Sequence, residues 1–411
     1  MSMKTGSLLK YYRTKANLTQ SELAEGICSI PHLSKIENNH KEANQETVKL
    51  LFERLHIDLQ VVENDMKQIK SLITRFIEHM EYFEEEEAGF AFVELEKRNE
   101  LITFTPYIYL YELYKYRYFL FIKNLEKADN HRKWLYKQRK NFSQPESYLF
   151  SYYHGIHLIL RGEFNDARDQ LLQLLHDDVT NPLASGELYY HIALVKGSLE
   201  KSGQAIFYGK KALQLFTNQY NFKRIIHTLM LLAINYTHAG IYQEALDCYK
   251  HIIRNVKLLK ETSLLPRIYN NLGYLKHKMG LHEESLYYYK LGLNMQTPGT
   301  VHYLISLYTV AQCYHDLNSG EAKAFFEEVY ALSKELNNLK YQYLSIYYLH
   351  MINGDEEVGF KYLENKIIPY LESIGEHREE LHYFSNQLAK YYKRLGKFEI
   401  AIKYIEMEGR K

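Results

Sequence analysis

The side chains that could support catalysis or bind a metal ion are scattered along this sequence of 411 residues, which contains 19 histidines. His154 and His157 are three residues apart, a spacing that places both on one face of a helix, where they could bind one metal ion. The alternative, which we favour, is that they are groove residues or residues that pack between helices. The sequence contains no glycine-rich phosphate loop, no His-Glu-x-x-His zinc helix and no nucleophile elbow. It therefore predicts no catalytic residue, no metal site and no cofactor, and a protein that is not an enzyme.

The composition is typical of a globular protein with a large apolar core. The net charge is +1, 46% of the residues are hydrophobic and 25% are charged, and the few prolines (7) and glycines (20) favour helices. Cys28, Cys248 and Cys313 are odd in number and far apart, which indicates reduced thiols and a cytoplasmic setting. We expect neither a secretory segment nor a membrane-spanning helix, since no apolar run approaches the roughly 18 residues that spanning requires.

Two short helices are predicted by local signals within residues 17–38. Thr19 is a good N-cap, and Glu22, three residues later, can close a capping box, so that a helix should begin at Gln20. Gly26 lowers the helix propensity where the chain must turn.

A second helix should begin near Ser29 or Ile30, because Pro31 is tolerated only in the first turn of a helix. The two helices can share one small core with the apolar residues that precede and follow them. The predicted core contains Leu8, Leu9, Leu18, Leu23, Ile27, Leu33, Ile36, Val48, Leu51, Leu55 and Ile57.

Over residues 5–62 the spacing resembles that of the lambda and 434 repressors, the XRE-type helix-turn-helix family. The matching pattern reads Gln20-x-x-Leu23-Ala24-x-x-Ile27, then Leu33-Ser34-Lys35-Ile36-Glu37. The resemblance implies that the second helix lies in the major groove of DNA, that Gln20 bonds a phosphate and that Lys35 is the best candidate to contact a guanine. The implied DNA-binding residues are Gln20, Ser29, Ile30, His32, Ser34 and Lys35. For His32 the alternative is a contact with phosphate alone.

Charge gives only modest support to DNA binding. Residues 1–41 contain six lysines and arginines against three acids, and later acids dilute this excess. Ile30 and Pro31 stand where polar residues are common in the family, so the resemblance implies apolar contact with thymine methyl groups there.

A repeat of roughly 37 to 42 residues runs through the chain from about residue 148 onward. Five copies have a small residue followed four positions later by an apolar or aromatic one, such as Ala245 with Tyr249 or Ala401 with Ile405, and two weaker copies centre on Ala205 and Gly359. The small residues are Ala167, Ala205, Ala245, Ser285, Ala322, Gly359 and Ala401. Such a period predicts about seven stacked helix pairs that cross closely at the small residues. The aromatic stretches between residues 73 and 140 are candidates for two degenerate copies.

The repeat resembles the tetratricopeptide family, most clearly at Leu272-Gly273 with Gly280 and Ser285. The predicted fold class is therefore all-α, with an XRE-type helix-turn-helix domain at residues 1–62, a linker helix at 63–72 and a tetratricopeptide-like solenoid at 73–411.

In such solenoids the first helix of each pair lines a concave surface, where an amide such as that of Asn271 can bond the backbone of an extended peptide. The candidate peptide-binding residues are Tyr190, His191, His227, Asn235, Arg267, Asn270, Asn271, Tyr274 and Gln387. For each of them the alternative is a polar residue that is merely exposed or that bonds the neighbouring helix.

The whole chain resembles the peptide-pheromone regulators of Gram-positive bacteria, the RRNPP group, and most of all its PlcR and NprR branch. The resemblance implies a cytoplasmic homodimer that binds a short signalling peptide in its solenoid and operator DNA through its two heads. One alternative is a Rap-type regulator of response-regulator proteins, in which Gln138 or Asn141 could orient a water molecule. The other is a dimeric repressor that responds to no peptide.

Overall fold

Every element of the described chain is a helix. The computed structural model describes residues 6–38, 44–176, 185–260, 262–374 and 378–406, and these ranges contain no β-strand. The predicted all-α fold, a helix-turn-helix followed by tetratricopeptide-like helix pairs, is confirmed. The chain divides into two compact units, residues 1–235 and residues 236–411.

The helices are numbered in chain order. The first nine are α1 Gly6–Lys15, α2 Gln20–Ala24, α3 Ile30–Glu37, α4 Gln45–Arg54, α5 Leu59–Glu81, α6 Glu85–Lys97, α7 Asn99–Ile102, α8 Ile108–Phe121 and α9 Leu125–Gln138. They are followed by α10 Gln144–Leu160, α11 Phe164–His176, α12 Ser185–Ser198, α13 Ser202–Asn218, α14 Phe222–His238, α15 Tyr242–Leu258, α16 Leu265–Lys278 and α17 His282–Asn294. The last are α18 Val301–Asp316, α19 Glu321–Glu335, α20 Leu339–Ile352, α21 Glu356–Tyr362, α22 Ile368–Ile374, α23 Arg378–Arg394 and α24 Phe398–Glu406.

The head, formed by α1 to α4, has the predicted apolar core. Leu8, Leu9, Leu23, Leu33, Ile36, Leu51 and Leu55 are buried, and Leu18, Ile27, Val48 and Ile57 pack against them half-buried. Phe52 and two residues of α5, Val62 and Met66, complete the cluster. The first two turns of α5 therefore contribute to the core of the head.

The predicted start of α2 is confirmed. The Thr19 hydroxyl accepts a bond from the Glu22 N–H (3.2 Å), and the Glu22 carboxylate accepts one from the Thr19 N–H (2.7 Å). Gly26 then turns the chain with φ +69°, a left-handed conformation that costs glycine little. The second helix begins at Ile30, and its N-cap is Ser29, whose hydroxyl accepts from the His32 N–H (3.4 Å).

The predicted linker at residues 63–72 lies inside one continuous helix, α5, which has 23 residues. Its buried stripe includes Val62, Ile69 and Phe76, whereas Val61 is 52% exposed. The domain boundaries proposed from the sequence remain a prediction, since α5 passes through the one at residue 62 without a break.

The helices from α10 to α24 follow in the order that the period predicts. Among the described residues, contacts join α10 with α11, α12 with α13, α16 with α17, α18 with α19, α20 with α21 and α23 with α24. The repeated small residues Ala167, Ala205, Ala245, Ser285, Ala322, Gly359 and Ala401 are all buried. Two further antiparallel pairs, α5 with α6 and α8 with α9, occupy the aromatic stretches before residue 140 and bury Ala88 and Ala128. In the last pair Tyr404 is buried and Ile405 is 51% exposed, because Tyr404 stacks on Tyr392.

The helices of a pair approach so closely that some positions accept only glycine. A Cβ on Gly155 would lie 2.5 Å from Cδ2 of Leu171, and one on Gly273 would lie 2.7 Å from Cδ1 of Tyr289. Both contacts are well inside van der Waals distance. The small residue of the first helix and the large residue of the second thus form an interlocking contact.

We expect Gly273→Ala to destabilise the second unit by about 1 to 2 kcal/mol, because the added methyl group overpacks the contact by more than the gain in helix propensity offsets. The control is Gly203→Ala in α13, where nothing lies within 4 Å of the added Cβ. The midpoints of thermal unfolding of the two variants measure the difference. Equal midpoints would show that Tyr289 moves away at no cost.

Candidate functional site

The helix α3 and its N-cap present five of the six residues that the resemblance assigns to DNA. Ser29, Ile30 and Lys35 are exposed, and His32 and Ser34 are half-buried. Ile30, 46% exposed, is the largest apolar side chain of this surface. The structure thus places all five of these predicted residues on one short helix and its cap, and their contacts with bases remain a prediction.

A buried ion pair that the sequence analysis missed fixes the end of α3 against α1. Arg13 donates two bonds to the Glu37 carboxylate, from Nε (2.6 Å) and Nη2 (3.0 Å), and a third from Nη1 to the Leu18 carbonyl (2.7 Å). The Glu37 side chain has no exposed surface. Gln20 also donates to Glu37 (2.7 Å), so that only one of its two amide hydrogens is left for the predicted phosphate.

Four candidate peptide-binding residues lie in the first unit, on α12 and α14. Tyr190 and His227 are half-buried, while His191 and Asn235 are buried. The Asn235 amide donates to the Leu231 carbonyl (2.8 Å) and lies against Gly197, at which an added Cβ would be 2.9 Å from its nitrogen. Their roles in peptide binding remain predictions, and for Asn235 a bond within its own helix is already present.

A second buried ion pair joins α12 to α14. Arg224, 4% exposed, donates from Nε and Nη2 to the two carboxylate oxygens of Glu187. Burial opposes the charge on Glu187, but the guanidinium prevails and keeps the pKa of that carboxyl below its ordinary value. The Arg224 guanidinium also lies 4.6 Å from the ring centroids of both Phe83 and Tyr190. No local sequence signal predicted this arrangement.

Beside this pair, His191 is held in its neutral form. Burial, above all, lowers the pKa of His191 to about 4, although the Glu187 carboxylate opposes the shift. Its Nδ1 lies 2.9 Å from the Tyr152 hydroxyl and 2.8 Å from the Glu187 carbonyl.

In the second unit the structure places four candidates on α16 and one, Gln387, on α23. Arg267 is exposed, and Asn271, Tyr274 and Gln387 are half-buried. Asn270 donates to the Ser306 hydroxyl of α18 (2.7 Å), whereas its Oδ1 is buried and has no hydrogen-bond partner among the described residues. Their roles as peptide ligands remain predictions.

The residues considered for a metal site or for a Rap-type role make contacts within the protein. His157 Nδ1 lies 2.7 Å from the Tyr116 hydroxyl of α8, and within the described ranges no three His, Cys, Asp or Glu side chains are placed to hold a metal ion. Asn141 donates to the side chains of Gln138 (3.2 Å) and Tyr109 (2.9 Å). Among the helices that are described, none is long and apolar enough to cross a membrane.

The fold and these surfaces define a helix-turn-helix protein with tetratricopeptide repeats. The family model for helix-turn-helix domains matches residues 9–62, and that for tetratricopeptide repeats matches residues 264–335. Both matches fall where the sequence patterns predicted them.

Among characterised proteins, the chain is similar to the transcriptional activator NprA of Geobacillus stearothermophilus, with 25% identity over 398 residues that cover 94% of this chain and 97% of NprA. It is 26% identical to the regulatory protein RapD of Bacillus subtilis over 306 residues, 72% of this chain and 84% of RapD.

The fold is that of the quorum sensor NprR from B. thuringiensis. The apo form superposes with a TM-score of 0.69 at 23% identity and covers 83% of this chain and 98% of NprR. NprR in complex with its cognate peptide NprX gives a TM-score of 0.62 at 22% identity, over 83% and 96% of the two chains. The resemblance to the RRNPP regulators and their NprR branch is thus confirmed.

The neutral state of His191 should make the first unit sensitive to acid. Between pH 6.5 and pH 4 the unfolded chain gains a proton on this residue that the folded chain does not bind, so stability is lost as the pH falls through this window. The loss is at most about 3 kcal/mol. His191→Gln removes the titrating group and with it this loss of stability. In urea unfolding at pH 7, 5.5 and 4, the free energy of unfolding of the wild type should therefore fall relative to that of the variant. Parallel pH profiles would refute the assignment.

Proposed function

We propose that this protein is a cytoplasmic, homodimeric quorum-sensing transcription regulator that binds operator DNA through its head and is controlled by a short signalling peptide bound on the first helices of its repeats. The observation that carries the proposal is the order of head and repeats in one chain, 94% of which aligns with the activator NprA. NprR, which shares the fold, is a quorum sensor that binds its cognate peptide NprX.

The geometry of α3 supports the role in DNA binding. In helix-turn-helix proteins the first residues of the second helix contact base edges, and here Ser29 and Ile30 are exposed at that end, with Lys35 exposed further along. A dimer would present two such helices, which must lie about 34 to 36 Å apart, or a multiple of that distance, to reach both half-sites of an operator. DNA affinity then depends on how the rest of the chain places the heads.

The polar residues of α16 support the role in peptide binding. Asn271 and Tyr274 are half-buried on a first helix, next to the buried Oδ1 of Asn270 that has no partner among the described residues. An amide can donate to a peptide carbonyl and accept from a peptide N–H, so it recognises the backbone of an extended chain. A peptide that binds better to one head arrangement shifts the dimer toward it, typically by about 1 to 3 kcal/mol.

A Rap-type role is the second candidate, and the similarity to the regulatory protein RapD favours it. Such a protein would act on a response regulator instead of, or in addition to, DNA. Gln138 and Asn141 are hydrogen-bonded to each other in the structure. A dephosphorylation assay against phosphorylated response regulators separates the two candidates, because a regulator that acts on DNA alone leaves the phosphorylation unchanged.

Lys35→Ala should weaken binding to an operator, selected by the wild type from a random duplex library, by about 1 to 3 kcal/mol and should relax the preference at one base pair. Lys49→Ala is the control, because it removes the same charge from an exposed site on α4, where Lys49 pairs with Glu53 at 3.7 Å. Fluorescence anisotropy with the selected and a scrambled duplex measures both. If Lys35→Ala loses the same affinity for the selected duplex as for the scrambled duplex, Lys35 contacts phosphate and not a base.

A peptide ligand should raise the thermal midpoint of the protein in a screen of short synthetic peptides encoded by small open reading frames beside the gene. Asn271→Ala should reduce the affinity for a stabilising peptide at least tenfold, because the backbone bonds of the peptide lose their partner. Asn218→Ala, at the exposed end of the second helix α13, should leave it unchanged. If no peptide stabilises the protein, the reading as a peptide-independent dimeric repressor gains support.

A further inference from the structure

The C-terminal end of α5 is held by two residues at the start of α14, Asn221 just before the helix and Lys223 in its first turn, each 140 positions after its partner in the chain. The Asn221 side-chain amide donates to the Glu81 carbonyl (3.1 Å), and the Lys223 ammonium donates to the Phe83 carbonyl (3.1 Å). The last carbonyls of a helix have no partner within the helix, so that donors from elsewhere stabilise its end. Phe83 itself has φ +58°, the left-handed conformation that ends the helix.

Aromatic and charged contacts close around the same turn. The Phe83 ring meets the ring of His227 edge-on at 5.0 Å between centroids. The Arg224 guanidinium, which is paired with Glu187, lies 4.6 Å from the ring centroids of both Phe83 and Tyr190. Asn221 and Arg224 are 5% and 4% exposed, so the contact is built into the interior of the first unit.

The other end of α5 belongs to the DNA-binding head. Val62 and Met66 lie in the core of the head, and the Tyr12 hydroxyl of α1 donates to the Asp65 carboxylate (3.2 Å). With 23 residues, α5 is a continuous rod about 34 Å long. What fixes its far end therefore fixes the direction in which the head is presented.

We propose that Asn221, Lys223 and Arg224 form an intramolecular latch that grips the Glu81–Phe83 end of α5 and so sets the placement of the head. This inference rests on the proposed function and deepens it, because Tyr190 contacts Arg224, His227 contacts Phe83, and both are candidate peptide ligands. A peptide that moves either side chain changes the packing around Phe83. The latch thus offers a direct mechanical path from the first helices of the repeats to the head.

One substitution separates the latch from the folding of α14. The Asn221 Oδ1 accepts a bond from the Arg224 N–H (3.1 Å) and so caps α14, while its amide nitrogen serves the latch. Asn221→Asp keeps an acceptor for the cap but has no hydrogen to donate to the Glu81 carbonyl. Lys223→Met keeps the apolar stem of the side chain and removes the second donor. Asn124→Asp, at the N-cap of α9, is the matched control, because Asn124 accepts from the Lys127 N–H (3.0 Å).

The first measurement is hydrogen–deuterium exchange of the full-length protein. Asn221→Asp and Lys223→Met should each speed the exchange of residues 76–84 by about tenfold, the equivalent of one lost hydrogen bond, and Asn124→Asp should not. If residues 76–84 exchange at the wild-type rate in both latch variants, the bonds from Asn221 and Lys223 do not stabilise the end of α5. This arm requires neither DNA nor peptide and so stands apart from the proposed function.

The second measurement is the ratio of affinities for the duplex selected by the wild type and for a scrambled duplex. Both latch variants should change this ratio at least fivefold, and the control should keep it. An unchanged ratio, with faster exchange of residues 76–84, overturns the regulatory role of the latch. If the wild type selects no duplex at all, the proposed function fails, and the regulatory role that rests on it fails too, while the exchange result still decides whether the latch exists.

Discussion

The structure depends on one steric constraint, the close crossing of two helices within each repeated pair. Where Gly273 faces Tyr289 there is no room for a methyl group, and the small residues at Ala245 and Ser285 are fully buried. Within each unit, helices that approach so closely can stack at regular intervals, which brings the first helices of neighbouring pairs together. The placement of the candidate peptide-binding residues on these first helices therefore depends on small residues that are buried inside the pairs.

Constraints of short range could be predicted from the sequence. The capping box of Thr19 and Glu22 spans three residues, and the repeated small residues recur at a fixed period. The copies before residue 140 have a weaker sequence signal, because α8 is aromatic and apolar on nearly every side and so shows no single apolar face. Ile405 was expected to pack like its counterparts in earlier repeats, but the pairing of Tyr404 with Tyr392 decides which residue is buried.

The buried ion pairs could not be predicted. Arg13 and Glu37 are 24 positions apart, and Glu187 and Arg224 are 37 apart, in a chain with 51 basic and 50 acidic residues. No local pattern distinguishes these four from the many that remain in solvent, since their burial is decided by helices that meet only in the folded unit.

These ion pairs matter more for geometry than for stability. Desolvation offsets most of the attraction in a buried pair, so replacing one by apolar residues is often neutral. What such a pair does supply is a defined orientation, and this head needs one. Its basic excess is small, and Arg13 is already paired with Glu37, so non-specific attraction to phosphates contributes little. In the proposed function, specific binding comes from base contacts made by two heads at the correct spacing. The rod α5, anchored in the head at one end and held near Arg224 at the other, is the element through which that spacing can be set.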